Sequence, residues 1–494
     1  MNRFVFACYS NCDRFFGTFS LLLVCGVLSL ADVSFAQTAA NSPARLPPDL
    51  GQRQTGVDWP VFLGPTGDSK SSETGIISPW PAEGLKVVWD KPLAESYCIG
   101  SISRGRMLQP DYDDGTAILY CWNAETGDPI WKFTYPSDYQ DMYGYNSGPR
   151  CSPVIDENRI YLLGVEGMLH CLDLNDGAVI WKVDTNKTFG VIQNFFGVGS
   201  TPVVHGELLI TMIGGSPQED HALPPGALDR VTGNGSGIVA FDKRTGQIRY
   251  KFSDELASYA SLKLAKIGSR DWCFAFARGG LIGFDPAAGK QDFFFPWRAS
   301  ILESVNASVP VVVGNQVFIS EAYGPGSALL KVSANQDAQV VWQDSDRSRT
   351  KAMQTHWNTA IHHDGYLYGC SGRHLYNAEL RCIDWKTGKV RWSEPELTRT
   401  SLLYIDNHFI CLGEDGTLRL LKANPDRYEE ISKLVLRTPE SAGIAITDER
   451  TDQQTRLIKY PAWAAPIVSH GLLYVRGKDR LVCLELIPKT QKPN

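Results

Sequence analysis

One repeated pattern of short strands and tight turns dominates this chain of 494 residues. Residues 160–182 (IYLLGVEGMLHCLDLNDGAVIWK) show it most clearly, with apolar and polar positions alternating between turn residues. Such period-2 alternation, interrupted every few residues, is typical of an antiparallel β-meander. Asp176-Gly177 supplies the left-handed backbone that a tight hairpin turn needs, and the last strand ends at Trp181.

The pattern occurs eight times, and its spacing predicts the fold. Trp131 and Trp181 are 50 residues apart, as are Trp342 and Trp392. A period of about 40–50 residues with four short strands per unit is typical of a β-propeller. We therefore predict an all-β, eight-bladed propeller of four-stranded antiparallel blades. The copies read LYCWNAETGDPIWK, LHCLDLNDGAVIWK, IVAFDKRTGQIRYK, LIGFDPAAGKQDFF, LLKVSANQDAQVVW, LRCIDWKTGKVRW, LRLLKANPDRYEEI and LVCLEL.

The two ends of the repeat region predict how the ring closes. The last copy, at 481–486, stops before its closing aromatic residue. Near the start, LKVVWDKPL at 85–93 contains Trp89 but has no preceding strands of its own. We expect this N-terminal strand to complete the last blade, which leaves no blade open at the ends of the chain.

The repeat also sets the domain boundaries. Residues 58–488 are expected to form the propeller and 489–494 a tail, and the longest insertion within a blade is 214–236 in the third. Residues 1–36 have the apolar run and small-x-small ending of a signal peptide, with a single membrane anchor or a lipoprotein signal at Cys25 as the alternatives. Cleavage of this signal predicts an exported protein, periplasmic or extracellular. Residues 37–57 are Pro-, Ala- and Gln-rich and are expected to be a flexible linker, with Trp59 and Phe62 beyond it holding the ring's rim.

Charge and cysteine content narrow the functional classes. The net charge of −6 and the lack of a basic run argue against a nucleic-acid partner. Nine of the 12 cysteines lie outside the signal segment, and four of them occupy the same slot of the repeat. Equivalent slots of different blades lie far apart, so we expect these four, Cys121, Cys171, Cys382 and Cys483, to be buried and unpaired.

The turn motifs CLDLNDGAVIWK, CIDWKTGKVRW and AFDKRTGQIRYK, with the opening segment WPVFLGPTGDS, resemble the quinoprotein-like propeller repeat superfamily. This superfamily includes quinone-dependent alcohol dehydrogenases and also inert members, such as the outer-membrane assembly lipoprotein. The enzyme branch implies a disulfide between adjacent cysteines, calcium held by a Glu and an Asn, and an Asp base. This chain has no adjacent cysteines. Glu303 and Asn306, at the start of the fifth blade's inner strand, are a candidate pair of calcium ligands, with a solvated loop as the alternative.

A propeller usually binds ligands where the inner strands enter the central channel, because one loop per blade converges there. Aromatic residues beside Arg, His and Asn in such loops indicate a binding surface. The alternative is that the rings pack the channel wall and the polar groups cap strand ends. The candidate binding residues at the channel mouth are Tyr145, Arg150, Phe196, Glu303, Asn306, His356, Trp357, Asn358 and Trp463.

The first functional hypothesis is an exported, non-catalytic binding or scaffolding propeller with no cofactor, no metal site and no catalytic residues. It would present the channel mouth to a protein or small ligand, and a peripheral position at a membrane is compatible with it. The alternative is a PQQ-dependent alcohol or sugar dehydrogenase with calcium. That alternative requires a Glu, an Asn and an Asp gathered around one apolar slot at the channel.

Overall fold

A computed structural model describes residues 46–192, 195–224, 227–333 and 337–489. The expected signal peptide, 1–36, and most of the expected tail lie outside these residues. Within them, none of the helices has the length and apolar character needed to cross a lipid bilayer.

Thirty-two strands form eight four-stranded antiparallel sheets, which confirms the predicted eight-bladed propeller. Apart from the last sheet, each blade consists of four consecutive strands. The first half contains β1 (Val87–Pro92), β2 (Ser101–Ser103), β3 (Arg106–Asp113), β4 (Thr116–Asn123), β5 (Pro129–Pro136), β6 (Val154–Asp156), β7 (Arg159–Leu163), β8 (Met168–Asp173), β9 (Val179–Asp184), β10 (Val203–His205), β11 (Leu208–Met212), β12 (Ile238–Asp242), β13 (Ile248–Phe252), β14 (Lys263–Ile267), β15 (Arg270–Phe276), β16 (Gly280–Asp285) and β17 (Lys290–Pro296).

The second half of the ring repeats this order. It contains β18 (Val311–Val313), β19 (Gln316–Glu321), β20 (Gly326–Val332), β21 (Ala338–Gln343), β22 (Ile361–His363), β23 (Tyr366–Ser371), β24 (Glu379–Asp384), β25 (Val390–Pro395), β26 (Thr400–Ile405), β27 (His408–Gly413), β28 (Leu418–Lys422), β29 (Glu430–Leu434), β30 (Ile467–Ser469), β31 (Leu472–Arg476) and β32 (Arg480–Glu485). The helices are α1 (Thr185–Phe189) and α2 (Glu449–Thr455), with short 3₁₀ turns at Gln218–Ala222, Leu228–Arg230, Leu375–Asn377 and Pro439–Ser441.

The N-terminal strand closes the ring as predicted. In blade 8 the strand order is β1-β32-β31-β30, so the first strand of the chain lies beside the last. Trp89 pairs with Cys483 in this register. Its ring then reaches the neighbouring blade, where Nε1 donates to the carbonyl of Ala124 at 2.9 Å. The last blade is therefore joined to the first by the aromatic residue that its own copy of the repeat lacks.

The repeated tryptophan has a structural role between blades. From the fourth strand of one blade, each such Nε1 donates to a backbone carbonyl in the turn between the third and fourth strands of the next blade. The glycine of that turn lies against the ring: a Cβ on Gly177 would lie 2.7 Å from the Trp131 ring, and its φ is +74°. Only glycine fits both conditions. Four further donor–acceptor pairs are Trp131–Leu174 (3.3 Å), Trp181–Lys243 (3.2 Å), Trp342–Trp385 (2.9 Å) and Trp392–Asn424 (3.0 Å).

The strand order gives the propeller two unlike faces. The mouth face carries the connections between blades and the loops between second and third strands, and the turn face carries the tight turns. Insertion 214–236 lies between β11 and β12, so it belongs to the mouth face. Its Leu228 packs with Phe195 and Val305 of neighbouring blades.

Segment 57–71 crosses the central channel. The prediction that Trp59 and Phe62 hold the rim of the ring is therefore wrong. Trp59 forms a two-way backbone bridge with Ile102 of blade 1 (2.8 and 2.9 Å). Further along, Ser69 Oγ donates to the carbonyl of Leu402 in blade 7 at 3.0 Å. The Lys263 ammonium of blade 4 donates to the carbonyl of Thr66 at 2.8 Å, and burial lowers the pKa of Lys263 to about 8. We call this segment the channel floor, because inner strands on opposite sides of the ring bind it.

The part of the expected linker that the structure describes packs against the ring. Residues 46–57 of the expected linker lie against blades 8 and 1, where the Arg53 guanidinium pairs with Glu485 at 2.5 Å.

All nine cysteines that the structure describes are buried free thiols. Cys121, Cys171, Cys382 and Cys483 are thus unpaired as predicted, and the other five are also unpaired.

Candidate functional site

A cavity of about 370 Å³ occupies the mouth side of the channel, above the floor. Phe62 and Leu63 of the floor form its base, and the segments that lead into the inner strands form its wall. Small-molecule sites have volumes of about 300–1,000 Å³. The main side chains of the wall are Tyr97, Tyr145, Arg150, Phe196, Tyr259, Tyr323, His356, Trp357, Arg373, Arg399, Tyr460 and Trp463.

Each blade contributes one wall residue from the same position of the repeat. This residue lies seven positions before the first residue of the turn that ends the inner strand. All eight such residues line the cavity. From blade 1 to blade 8 they are Tyr97, Arg150, Gly199, Ser261, Ala307, Trp357, Arg399 and Trp463. Five neighbouring blades (6, 7, 8, 1 and 2) carry large residues there, which we call the bulky arc. Blades 3, 4 and 5 carry small ones and form the small arc.

The large residues of the bulky arc are stacked on one another. Trp463 lies between Trp357 and Tyr97, with ring centroids 4.9 and 4.7 Å apart. The Arg399 guanidinium covers Trp357 at 4.3 Å, and that of Arg150 covers Tyr97 at 5.2 Å. Aromatic and cation–π contacts of this kind stabilise the rings at fixed orientations. We call this row the aromatic–arginine belt.

Buried carboxylates neutralise the two belt arginines. Arg399 donates from Nε and Nη2 to the fully buried Glu414 at 2.8 and 2.7 Å. Trp463 Nε1 donates to the same carboxylate at 2.8 Å. Arg150 Nη2 donates to Asp141 at 2.9 Å, and its Nη1 donates to the Asn146 side chain and to the carbonyl of Gly148. Both charges are thus used to hold the wall.

Seven of the nine predicted binding residues line this cavity. They are Tyr145, Arg150, Phe196, His356, Trp357, Asn358 and Trp463. Glu303 and Asn306 do not line it. Glu303 is exposed on the connection between blades 4 and 5. Asn306 is buried, where its Nδ2 donates to the carbonyls of Ala277 (2.8 Å) and Trp297 (3.1 Å). These two residues lie beside the small arc without reaching the cavity.

The polar groups of blades 5 and 6 are mostly used within the protein. Asn358 Nδ2 donates to the carbonyl of Thr400 at 2.7 Å, which links blade 6 to blade 7. His356 Nε2 lies 3.1 Å from the Tyr323 hydroxyl. Burial, with nearby arginines, lowers the pKa of His356 to about 3, so this imidazole is neutral at physiological pH. The wall therefore offers ring faces in preference to directional hydrogen-bond donors.

Sequence reasoning did not select several wall residues. Tyr97 and Arg399 share the repeat slot of Trp357 and Trp463, so counting back from the turns would have found them. Arg373 and Tyr323 lie in loops between second and third strands, outside this slot. No periodic signal marks those two positions in the sequence.

Exposed apolar side chains also distinguish the two faces. Among the described residues, the large exposed apolar side chains lie on outer strands or on mouth-face loops, apart from Leu46 near the N-terminus. Tyr145, which is 53% exposed, connects this surface to the cavity through ring contacts with Phe196 and Trp463 (6.0 and 6.2 Å). The mouth-face set is Met142, Tyr143, Tyr145, Ile301, Leu375, Tyr376, Ile444, Ile446 and Tyr460.

The described part of the chain contains no group of three or more His, Cys, Asp or Glu side chains arranged to hold a metal ion. None of the described wall residues is an Asp or a Glu. The cavity is consequently aromatic and cationic, without a carboxylate on its surface.

Comparisons with known proteins agree with the fold. A solved structure of BamB from Moraxella catarrhalis is 14% identical and matches 83% of this chain and 99% of its own length, with a TM-score of 0.53. The quinohemoprotein alcohol dehydrogenase from Comamonas testosteroni is 12% identical and matches 88% of this chain and 82% of its own, with a TM-score of 0.57. At these identities the likeness concerns the fold alone. No curated protein sequence matches the chain.

A family model described as "Outer membrane protein assembly factor BamB" matches residues 83–216 and 116–394. These matches span more than half of the sequence and most of the blades. The chain belongs to this family of PQQ-like repeat β-propellers.

Proposed function

We propose that this protein is an exported, non-catalytic binding propeller whose mouth face and cavity receive a ligand. The observation that carries the proposal is the concentration of accessible rings at one end of the channel, above a floor that closes the other. Interfaces and ligand sites are enriched in Trp, Tyr and Arg held rigidly around an apolar centre. The name of the family model, an assembly factor, supports a binding role for this chain as well.

The alternative, a calcium- and quinone-dependent dehydrogenase, fits the residues of this cavity less well. Glu303, its expected calcium ligand, is exposed outside the cavity, and the Asn306 amide donates to backbone carbonyls. The buried Asn306 Oδ1 has no partner among the described residues, yet Asn306 does not line the cavity. No carboxylate of the described wall could serve as a base.

Site-specific photo-crosslinking tests the proposal. A photoreactive phenylalanine analogue replaces Tyr145 on the mouth face or, as the matched control, Asn175, an exposed residue of a turn on the opposite face. We expect a discrete adduct in the cell envelope from position 145 only. Equal labelling from both positions would contradict a mouth-face function.

A second measurement addresses the dehydrogenase. Purified protein is mixed with PQQ, calcium and a panel of alcohols, and reduction of a redox dye is followed. We expect no alcohol-dependent reduction above the rate without protein. Turnover that requires both quinone and calcium would replace the binding proposal with the enzymatic one.

A further inference from the structure

Three arginines line the cavity, and their environments differ. Arg150 and Arg399 are paired with Asp141 and Glu414 as described above. Arg373 forms no ion pair and no side-chain hydrogen bond with any described residue. Its guanidinium lies over the Tyr323 ring at 4.1 Å, on the loop between β23 and β24. Arg373 is thus the arginine of the wall whose hydrogen-bond donors are free.

The charge around Arg373 is only partly compensated. The buried acid Glu321 interacts electrostatically with Arg373 from beyond ion-pair distance, and it accepts the backbone N–H of Tyr323 at 2.8 Å. Burial raises the pKa of Glu321 to about 7, so this carboxyl offsets the charge of Arg373 only in part. His356 nearby is neutral. The cavity therefore keeps a positive charge at its blade 5–6 edge.

Around this charge, the aromatic side chains expose ring faces more than polar tips. Trp357 Nε1 donates to the carbonyl of Trp463, whose own Nε1 goes to Glu414. The Tyr259 hydroxyl accepts the backbone N–H of Phe196 at 2.7 Å. A sugar would need several planar polar side chains for its hydroxyls, and this wall has few free ones. Flat or apolar groups can instead stack between the belt and the rings of Phe196 and Tyr259.

From this geometry we infer that the cavity binds an organic carboxylate with an aromatic or apolar body. Arg373 receives the carboxylate in a charge-assisted, bidentate hydrogen bond, and the ring faces receive the body. The inference rests on the proposed binding function and specifies its ligand class. Two sources share this chemistry: a free aromatic acid, and the C-terminus of a polypeptide that ends in an aromatic residue.

Calorimetric titration of the full chain with matched probes tests the inference. The probes are 3-phenylpropanoate, its amide, and propanoate, which lacks the ring. Charged hydrogen bonds imply a loss of at least about tenfold in affinity for the amide, and ring stacking implies a similar loss for propanoate. Equal binding of acid and amide, or no binding of the acid at millimolar concentration, would overturn the inference.

Substitutions at Arg373 test whether this residue binds the carboxylate of the ligand. Arg373→Gln should weaken 3-phenylpropanoate at least about tenfold while leaving its amide and the melting temperature unchanged. Arg373→Lys should bind more tightly than Arg373→Gln but more weakly than the parent chain, because lysine keeps the charge but cannot form the bidentate hydrogen bond. Arg391→Gln is the matched control: this arginine also covers a tyrosine ring, Tyr366 at 6.0 Å, but on the outer strand of blade 6. An equal loss in the control would remove Arg373 from the site.

Peptides distinguish the two sources. A hexapeptide ending in phenylalanine is compared with its C-terminally amidated form and with the free acid. Tighter binding of the free-carboxylate peptide than of 3-phenylpropanoate assigns the site to a chain terminus, and the reverse assigns it to a small acid. An adduct from position 145 without any carboxylate binding would overturn this inference and leave the proposed function standing.

Discussion

The bulky and small arcs of the channel wall are built from the same position of the same repeat, yet one fills the wall with side chains and the other leaves the cavity open. On the bulky arc that position holds Trp357, Arg399, Trp463, Tyr97 and Arg150, which stack into a continuous row. On the small arc it holds Gly199, Ser261 and Ala307, and space remains. Equal backbones thus give a filled wall on one side and an open one on the other.

The difference teaches how a propeller can make a cavity without changing its strands. In the bulky arc the internal pairing of Arg399 with Glu414 removes charge and fixes the rings. At the edge of the small arc, Arg373 keeps its charge free. The arginines that hold the wall and the arginine that is free to bind a ligand are therefore distinguished by their partners.

The largest effect is expected from Arg399→Leu. This change leaves Glu414 buried without its cation, which costs about 3–5 kcal/mol of unfolding free energy. Urea denaturation measures the loss. Addition of Glu414→Gln should recover part of it, whereas Arg373→Gln alone should change stability by less than about 0.5 kcal/mol. Equal costs for the two arginines would contradict this distinction.

A smaller loss should follow removal of a ring from the belt. Trp463→Ala deletes the side chain that contacts both Tyr97 and Trp357, and we expect a loss of about 2–3 kcal/mol. Ala307→Gly, at the same repeat position in the small arc, should cost less than about 1 kcal/mol. Thermal unfolding of the two variants compares the arcs directly, and similar losses would show that the wall is uniform.

The sequence allowed the ring and its closure to be predicted, because strand alternation, Asx-Gly turns and Trp89 are local signals. Seven of nine candidate wall residues also lay in the cavity. The prediction for Glu303 and Asn306 depended on proximity to an inner strand, and side-chain direction there is set by contacts with Ala277 and Trp297 that no pattern encodes. Likewise, contacts with several blades determine the path of the floor, so its sequence alone did not show that it crosses the channel.

The contacts between blades should be the same in both arcs, which sharpens the comparison. In the bulky arc, a Cβ on Gly177 would lie 2.7 Å from the Trp131 ring of the preceding blade. In the small arc, a Cβ on Gly289 would clash with the Tyr250 ring of the preceding blade, and both glycines have positive φ. Alanine at either position should cost about 2 kcal/mol through strain and overpacking. Chemical denaturation would show unequal losses if the arcs differed in more than their mouth residues.

Filling the small arc should abolish binding without unfolding the protein. Ala307→Phe places a ring in the cavity, so 3-phenylpropanoate should lose at least about tenfold in affinity, or about 1.4 kcal/mol. The melting temperature should stay close to that of the parent chain. Unchanged affinity in a well-folded variant would place the ligand outside the small arc.

The smallest effect concerns the floor, which closes both arcs. His470 Nε2 lies 3.1 Å from Asp58 Oδ1 at one end of the floor. The hydrogen bond to Asp58 raises the pKa of His470 above 6.5. Burial alone would raise the pKa of Asp58, but hydrogen bonds from His470, Ser103 and Arg104 outweigh it and lower this pKa below 3.8. Because its pKa is raised in the folded protein, His470 contributes its full stabilisation below pH 6.5, and this contribution disappears as the pH rises through the folded pKa. Because its pKa is lowered, Asp58 contributes its stabilisation above pH 3.8, and this contribution disappears as the pH falls through the folded pKa.

Both groups are about one third exposed, so the pair should contribute less than about 1 kcal/mol. The difference in unfolding free energy between the parent chain and His470→Gln should therefore be largest at about pH 5–6 and small at about pH 8.5. Urea titrations at several pH values measure it, with Asp58→Asn as a second variant that should follow the same window. A difference that grows toward alkaline pH would mean that this pair does not hold the floor, and its anchoring would then rest on Lys263 and the backbone bridges to the inner strands.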